Sequence, residues 1–325
     1  MAKKNGRREF MHAAGVTGAA LLAGSHPLAQ GPSGSQATPA PAKTMGARFR
    51  ELLQKREPFE AVAAYDVFTS RMVEMMGFPS LFIGGSLVGD FYAEPDWLHS
   101  TGERVEYVRQ IAEHVDIPTL VDMDDGGDPM AIYRATKQYE QARVGAIHIL
   151  DDAVGPMGQQ TGVIPVGKMV DKIHAAVDAR SDMVVTVRCT AATAAGRETK
   201  DRAIERGVAY AQAGAETIWF MGMTFADLPR VADAIKVPVT AQMAMDTPMS
   251  AARAARVTVA VYASLLQNIA QSAVYDALTE LKTTGLMVKS AGGVRLGGRI
   301  PADFRARLMR NAEIAERGKK YNVGS

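Results

Sequence analysis

Eight short apolar runs, each followed by an amphipathic stretch, occupy the chain from residue 58 onward. The first four runs are "FEAVAAYD" (59–66), "SLFIGGS" (80–86), "TLVDMD" (119–124) and "AIHILDD" (146–152). "MVVTVRC" (183–189), "TIWFMGM" (217–223), "PVTAQM" (238–243) and "VTVAVYA" (257–263) complete the set. Most are apolar almost without interruption, as expected of parallel strands covered on both faces. The stretches between them carry helix signals. Ser100 and Glu103 have capping-box spacing ahead of "RVEYVRQIAEHV", and "PMAIYRATKQYEQARVG" opens on Pro129 and stops at Gly145. Eight such units predict a (β/α)8 TIM barrel over residues 46–284, with a helical extension over 285–325. A doubly wound open sheet fits less well, because no Gly-x-Gly-x-x-Gly turn opens the first helix.

With 325 residues and 47% hydrophobic content, the chain can bury a core of that size. The formal net charge is +2, and no basic stripe with interleaved aromatics is present, which argues against a nucleic-acid partner. Cys189 is the only cysteine, so an intramolecular disulfide and a cysteine-based zinc site are both excluded.

The first thirty residues read as an address. Arg7 and Arg8 precede Phe10 and a small-residue apolar run at 13–24, which resembles a twin-arginine export signal. The run is too short to span a bilayer as a mature helix. Ala29 is one candidate cleavage point, and the small residues of "APA" (40–42) offer another. A disordered basic tail is the alternative reading. Residues 31–45 are rich in Pro, Gly, Ser and Ala and read as a flexible linker. The expectation is a periplasmic protein with no membrane segment in its mature form.

A barrel of this type puts catalytic groups at the C-terminal ends of its strands. Here those ends carry Tyr65, Asp66, Gly84, Gly85, Ser86, Asp122, Asp124, Asp151, Asp152, Arg188, Gln242 and Tyr262. Asp122 and Asp124 stand two apart on a strand, so both side chains are expected on one face. Such a pair suits Mg2+, which takes one or two carboxylates and completes its octahedron with water and substrate oxygens. By spacing alone an acidic turn is an equal reading, with Asp125 inside the turn and Asp128 capping the helix at Pro129.

Several stretches carry a resemblance that bears on this choice. They include "AAYDVFTSRMVEMMGFPSLFIGGS", "EPDWLHST", "IPTLVDMDDGG", "GAIHILDD" and "VVTVRCTA". From about residue 46 to 284 the chain resembles the isocitrate lyase/phosphoenolpyruvate mutase superfamily, above all its methylisocitrate-lyase-like branch. The resemblance implies a Mg2+-dependent (or Mn2+-dependent) enzyme working next to a 2-oxo acid or its enolate. It assigns the metal to Asp122 and Asp124, and the substrate carboxylate to the backbone of Gly84, Gly85 and Ser86. Asp96 and Arg188 match further site residues. It also implies a homo-oligomer, dimer or tetramer, because C-terminal helices of relatives pack on a neighbouring subunit.

The sequence departs from the family pattern in four places. Leu150 stands where the family has a metal-shell glutamate, and Asp152, two residues on, is the expected substitute. The loop "VGPMGQQTG" (154–162) has no Cys, Lys or His to move a proton at neutral pH. "Cys-Thr-Ala" follows Arg188 where the lyases have Thr-Asp-Ala, and Cys189 reads as a buried apolar group. "WFMGM" (219–223) ends the sixth run without the usual glutamate, and Gln242 stands where an asparagine is common. Arg188 is expected either to clamp a carboxylate or to pair with Asp122 or Asp152. His148 is expected inside the barrel, while His114 and His174 fall on the surface.

The function expected is a divergent Mg-dependent lyase acting on a small 2-oxo or 2-hydroxy carboxylate. With no loop acid or base, decarboxylation is the least damaged chemistry. The competing expectation is a non-catalytic, exported carboxylate-binding protein on the same fold.

Overall fold

The computed structural model describes residues 43–291 and 300–321. The expected export signal and most of the linker lie outside the described residues. Strands β1 (Phe59–Ala63), β2 (Ser80–Ile83), β3 (Thr119–Asp122) and β4 (Ala146–Leu150) come first. After them come β5 (Asp152–Val154), β6 (Gln160–Val163), β7 (Val184–Cys189), β8 (Thr217–Phe220), β9 (Val239–Gln242) and β10 (Val257–Tyr262). Eight of these close a parallel barrel in the order β1-β2-β3-β4-β7-β8-β9-β10, and β10 pairs back onto β1. Strands β5 and β6 form a separate antiparallel hairpin. Each apolar run of the sequence thus becomes one barrel strand.

Burial follows from this closure. All five residues of β4 are buried, because Ile147 and Ile149 face the helices while His148 and Leu150 face the barrel axis. Burying a side chain such as Ile147 contributes about 1.5–3 kcal/mol. Inside the barrel Phe82 and His148 stack with centroids 5.6 Å apart, and the Trp219 ring meets His148 edge-on at the same distance. These rings fill the layer beneath the C-terminal mouth.

The expected helix starts are built as the spacing predicts. Ser100 Oγ accepts from the Glu103 amide at 3.3 Å, and Glu103 Oε2 accepts from the Ser100 amide at 2.8 Å. That box opens helix Thr101–Ala112. Asp128 accepts from the amides of Met130 and Ala131 at 2.8 and 2.9 Å, and Pro129 begins helix Pro129–Gln141.

An additional helix, Met45–Gln54, precedes β1. It buries Met45, Phe49 and Leu53 at the N-terminal end of the barrel. From it Arg50 donates to Glu216 at 2.6 Å and to Asp182 at 2.6 Å, and Arg180 reaches the same Glu216. Asp182 and Glu216 stand just before β7 and β8. Burial alone would raise the Glu216 carboxyl, but its hydrogen bonds from Arg50 and Arg180 prevail and hold it below the usual range.

At the other end of the chain, the basic stretch after residue 300 is two helices, Ala302–Leu308 and Asn311–Lys320, broken where Arg310 takes φ +55°. The first lies against its own barrel, where Arg71 donates to the Leu308 carbonyl at 2.8 Å. Among the described residues no helix is long and apolar enough to cross a membrane.

Candidate active site at the barrel mouth

Strand β3 ends at Asp122, and the chain turns at once. Asp124 adopts φ +51°, so strand alternation does not place it beside Asp122 as the sequence spacing predicted. The two still converge, because the Asp124 amide donates to Asp122 Oδ1 at 2.9 Å. Asp122 is buried and its other contacts are cationic or protic. His148 Nε2 lies 3.0 Å from Oδ1, and Arg188 Nη1 lies 3.5 Å from Oδ2. Burial would raise its pKa, but the charges of His148 and Arg188 hold it well below the usual carboxylate range.

Asp124 instead faces the mouth, where Arg104 Nη1 lies 2.6 Å from its Oδ2. Burial together with the neighbouring charges of Asp122 and Asp96 pushes its carboxyl up to about 7, against the pull of Arg104. Gly85 permits this crowding. A Cβ there would come within 2.9 Å of Asp124 Oδ1, 3.2 Å of Arg104 Nη1 and 3.3 Å of Asp96 Oδ2. The three charged groups therefore meet over a bare backbone at the end of β2. Arg104 was not singled out from the sequence, although a signal exists. It shares a helix face with Tyr107, Val108 and Ile111, all buried, so an arginine occupies a core position.

Arg188 projects from β7 into the same mouth, with its guanidinium 5.8 Å from the Trp219 ring. Its Nε is buried and has no hydrogen-bond partner. The pairing with Asp122 that the sequence left open is present, and it leaves part of the guanidinium free for a ligand. Leu150 pairs in register with Arg188, is buried, and lines the cavity directly above His148. The described His114 and His174 are exposed, as expected.

Asp152 begins the β5–β6 hairpin. Its carboxylate accepts from Gln160 Nε2 at 2.9 Å and from the Thr190 hydroxyl. Burial raises its pKa. Those partners tie Asp152 to the base of the hairpin. Asp151, on the opposite side, accepts from Thr190 N at 2.8 Å and from Tyr210 at 3.0 Å. It is wholly buried and structural.

The segment from 154 to 162, read from sequence as a loop without proton carriers, is largely ordered into this hairpin, and it covers the mouth. At its tip, Gly158 adopts φ +72°, and a Cβ there would lie 2.7 Å from the side chain of Trp97. Asp125 holds the turn, as expected, by accepting from the Gly127 amide at 3.2 Å. Lys172 supports the turn from below by donating to the Asp125 carbonyl at 2.7 Å. Cys189 is buried, and burial pushes its thiol up, so it offers no nucleophile.

One cavity of about 640 Å³ joins these parts. Asp96, Asp124, Asp152, Arg104 and Arg188 all line it. Asp122 lies just behind Arg188. Gly84, Gly85 and Ser86 do not line the cavity: Gly84 packs on the Phe82 ring, and the exposed Ser86 hydroxyl lies 3.4 Å from that of Ser264. Gly84 is the N-cap and Ser86 lies in the first turn of helix Gly85–Tyr92, whose start has no side-chain cap.

Fit to a divalent cation can be judged from the donors. Among the described residues, no three His, Cys, Asp or Glu side chains are gathered closely enough to enclose a metal ion. Asp122, Asp124 and Asp152 are therefore not a three-carboxylate cage. The donor set does suit Mg2+ held by one or two carboxylates and otherwise by water and substrate. Four aspartates (96, 124, 125 and 152) line the cavity against two arginines, and burial, followed by the charges of Asp122 and Asp96, is what raises Asp124.

A parallel barrel with an acidic, arginine-bearing pocket at its C-terminal mouth defines the general class. The phosphoenolpyruvate phosphomutase family model matches residues 49–282, and the chain belongs to that family, within the superfamily that its motifs resemble. A probable 2-methylisocitrate lyase from Corynebacterium glutamicum is 33% identical over 269 residues, covering 80% of this chain and 84% of that protein. An oxaloacetate decarboxylase from Pseudomonas putida is 32% identical over 197 residues, covering 59% of this chain and 68% of that one. In fold, the chain is similar to a phosphonopyruvate hydrolase in complex with oxalate and Mg2+. That match has a TM-score of 0.74 at 24% identity, over 86% of this chain and 99% of the other.

Proposed function

We propose that the chain is a Mg2+-dependent lyase, with Mn2+ able to substitute, that acts on a small 2-oxo or 2-hydroxy carboxylate through an enolate. Decarboxylation of a 2-oxo acid is the reaction best matched to its residues. The observation that carries this reading is the pairing of Arg188, with its partnerless Nε, and the raised carboxyl of Asp124 in one cavity.

Arg188 has the planar donor fork to clamp the substrate carboxylate. Asp124 and Asp122 are the residues that would hold the cation. Mg2+ bound there would supply positive charge to the keto and carboxylate oxygens of the substrate. When the carboxylate β to the keto group of an oxaloacetate-like acid leaves as CO2, the electron pair of the broken C3–C4 bond forms the C2=C3 double bond and the negative charge passes to the keto oxygen, giving an enolate. Arg104 and Arg188, which line the cavity, would stabilise that negative charge. Protonation of the enolate carbon by solvent completes the reaction, so no side-chain base is required. This agrees with a hairpin that lacks Cys, Lys and His. The hairpin's role is to cover the cavity and exclude bulk water during cleavage. The Pseudomonas putida relative, an oxaloacetate decarboxylase by name, supports the choice.

The test is calorimetric titration of Mg2+ and Mn2+ with and without oxalate, an enolate mimic, against the Asp122→Ala/Asp124→Ala variant. Metal-dependent oxalate binding that disappears in the variant is expected. Absence of metal binding at millimolar concentration sinks the lyase reading.

Two further readings concern the whole protein. We propose that it is exported to the periplasm by the twin-arginine route, and replacing Arg7 and Arg8 with Lys is expected to retain it in the cytoplasm. We also propose a homo-oligomer. Helix Leu265–Thr284 exposes Ile269, Val274, Tyr275 and Leu278, apolar surface that a second copy would cover. Light scattering after size exclusion tests this, and a monomer at micromolar concentration overturns it.

A further inference from the structure

Arg104 enters the mouth from helix Thr101–Ala112, whose first turn is fixed by the box of Ser100 and Glu103. Its guanidinium is tied down on one side. Nε donates to the His99 carbonyl at 3.4 Å and Nη2 to the Asp96 carbonyl, both in the segment leading into the helix. The third nitrogen behaves differently. Nη1 comes within 2.6 Å of Asp124 Oδ2, yet its N–H bonds are not aimed along that line and it has no hydrogen-bond partner. The contact with Asp124 is therefore one of charge, and the guanidinium keeps both carbonyl bonds when Asp124 turns away.

Asp124 is the partner with freedom to turn. Asp122 has both oxygens engaged, Oδ1 by the Asp124 amide and His148, and Oδ2 by Arg188. The Asp124 side chain is 31% exposed against 9% for Arg104, so a cation arriving from the cavity meets the carboxylate before the guanidinium behind it. Two cations on one carboxylate repel each other.

We infer that Arg104 exchanges partners as the site fills: it neutralises Asp124 until a cation takes that carboxylate, and its Nη1 then serves an anionic oxygen of the bound acid. The inference rests on the metal and carboxylate site proposed above, and it adds how the two ligands are coupled. Arg104 lowers the affinity for the metal alone and raises that for the acid once the metal is present, so each ligand favours the other. The nearly enclosed guanidinium is never left without an anion, which would be costly at such a position.

The experiment is calorimetry on the full chain at pH 9, with Mg2+ and oxalate titrated separately and each in the presence of the other. At that pH a proton does not stand in for Arg104 on Asp124. In the unmodified protein each ligand is expected to raise the affinity for the other by at least about tenfold. In Arg104→Gln, Mg2+ alone is expected to bind about tenfold tighter, and oxalate in the presence of Mg2+ about tenfold weaker. Damage to the fold weakens both ligands, so the opposite signs separate partner exchange from a structural role. Arg104→Lys keeps the charge and is expected to keep the weak binding of Mg2+ alone. A shift of both ligands in the same direction in Arg104→Gln, or no shift, overturns the inference, as do equal Mg2+ affinities in the Gln and Lys variants. Independent binding of the two ligands to the unmodified protein overturns it too, a result that needs no variant to fold. If the unmodified protein binds neither ligand, the metal and carboxylate site is itself wrong and the inference falls with it.

Discussion

Arg104 and Asp124 form an ion pair of 2.6 Å in which the cation is almost enclosed and the anion faces the cavity. Removing the arginine leaves a largely buried carboxylate beside Asp96 and Asp122 with no counter-charge. Arg104→Leu is expected to cost about 2 kcal/mol of stability, read as a lower urea midpoint. Adding Asp124→Asn should recover part of that loss, since the unpaired charge is gone. Strict additivity of the two changes would show that the pair is not coupled.

The raised carboxyl of Asp124 has a pH signature. Its proton is held more tightly in the folded protein than in the unfolded chain. As pH rises from the ordinary carboxyl range to about 7, this group therefore costs the metal-free fold stability. A cation binding there must displace the proton. Mg2+ affinity is expected to rise about tenfold per pH unit below 7 and to level off above it. Calorimetry in buffers of different ionisation enthalpy measures both the affinity and the proton released. A flat profile between pH 5.5 and 8 would remove Asp124 from the metal site.

At the opposite end of the barrel the sign reverses. Glu216 and Asp182 are held below their usual range by partners that include Arg50, outweighing their burial. Their contribution to stability is complete above the unfolded carboxyl range and is lost as pH falls through their lower folded values. Glu216→Gln is expected to lower the urea midpoint at pH 7 and to flatten its decline between pH 5 and 3. An unchanged acid limb would mean that other carboxylates govern acid unfolding.

Gly158 meets Trp97 at the tip of the hairpin, and its positive φ adds to the constraint. Gly158→Ala cannot keep both the turn and the contact. Oxalate affinity in the presence of Mg2+ is expected to weaken by about tenfold, with little change in melting temperature because the tip is exposed. Trp97 fluorescence reports the same event directly. Unchanged fluorescence and binding would show that the hairpin does not rest on Trp97 in solution.

The barrel was legible because parallel strands covered on both faces need unbroken apolar runs, and such runs are visible in any sequence. Their C-terminal ends were read too long. Gly84 to Ser86 and Met123 to Asp124 continue the composition of a strand but turn into the loops that build the mouth. The placement of Asp122, Asp124 and Arg188 at the barrel mouth was legible because acidic and basic residues at strand ends are conspicuous. Arg104 was missed because an arginine in an amphipathic helix is ordinarily solvated, and only its register with Tyr107 and Ile111 betrays it. The helix at Met45–Gln54 also had a signal, the spacing of Met45, Phe49 and Leu53, masked by the linker composition before it. The contact between Trp97 and Gly158 had none, since two loops distant in sequence meet only after the barrel closes.

Arg50, Asp182 and Glu216 are gathered at one end of the strands, and Asp124, Arg104 and Arg188 at the other. The packed aromatic layer of Phe82, His148 and Trp219 stands between the mouth and the lower barrel. Changes to the mouth therefore need not disturb the lower clasp. That separation lets mouth residues such as Leu150 vary without loosening the fold beneath. It also marks the mouth as the place to graft new specificity.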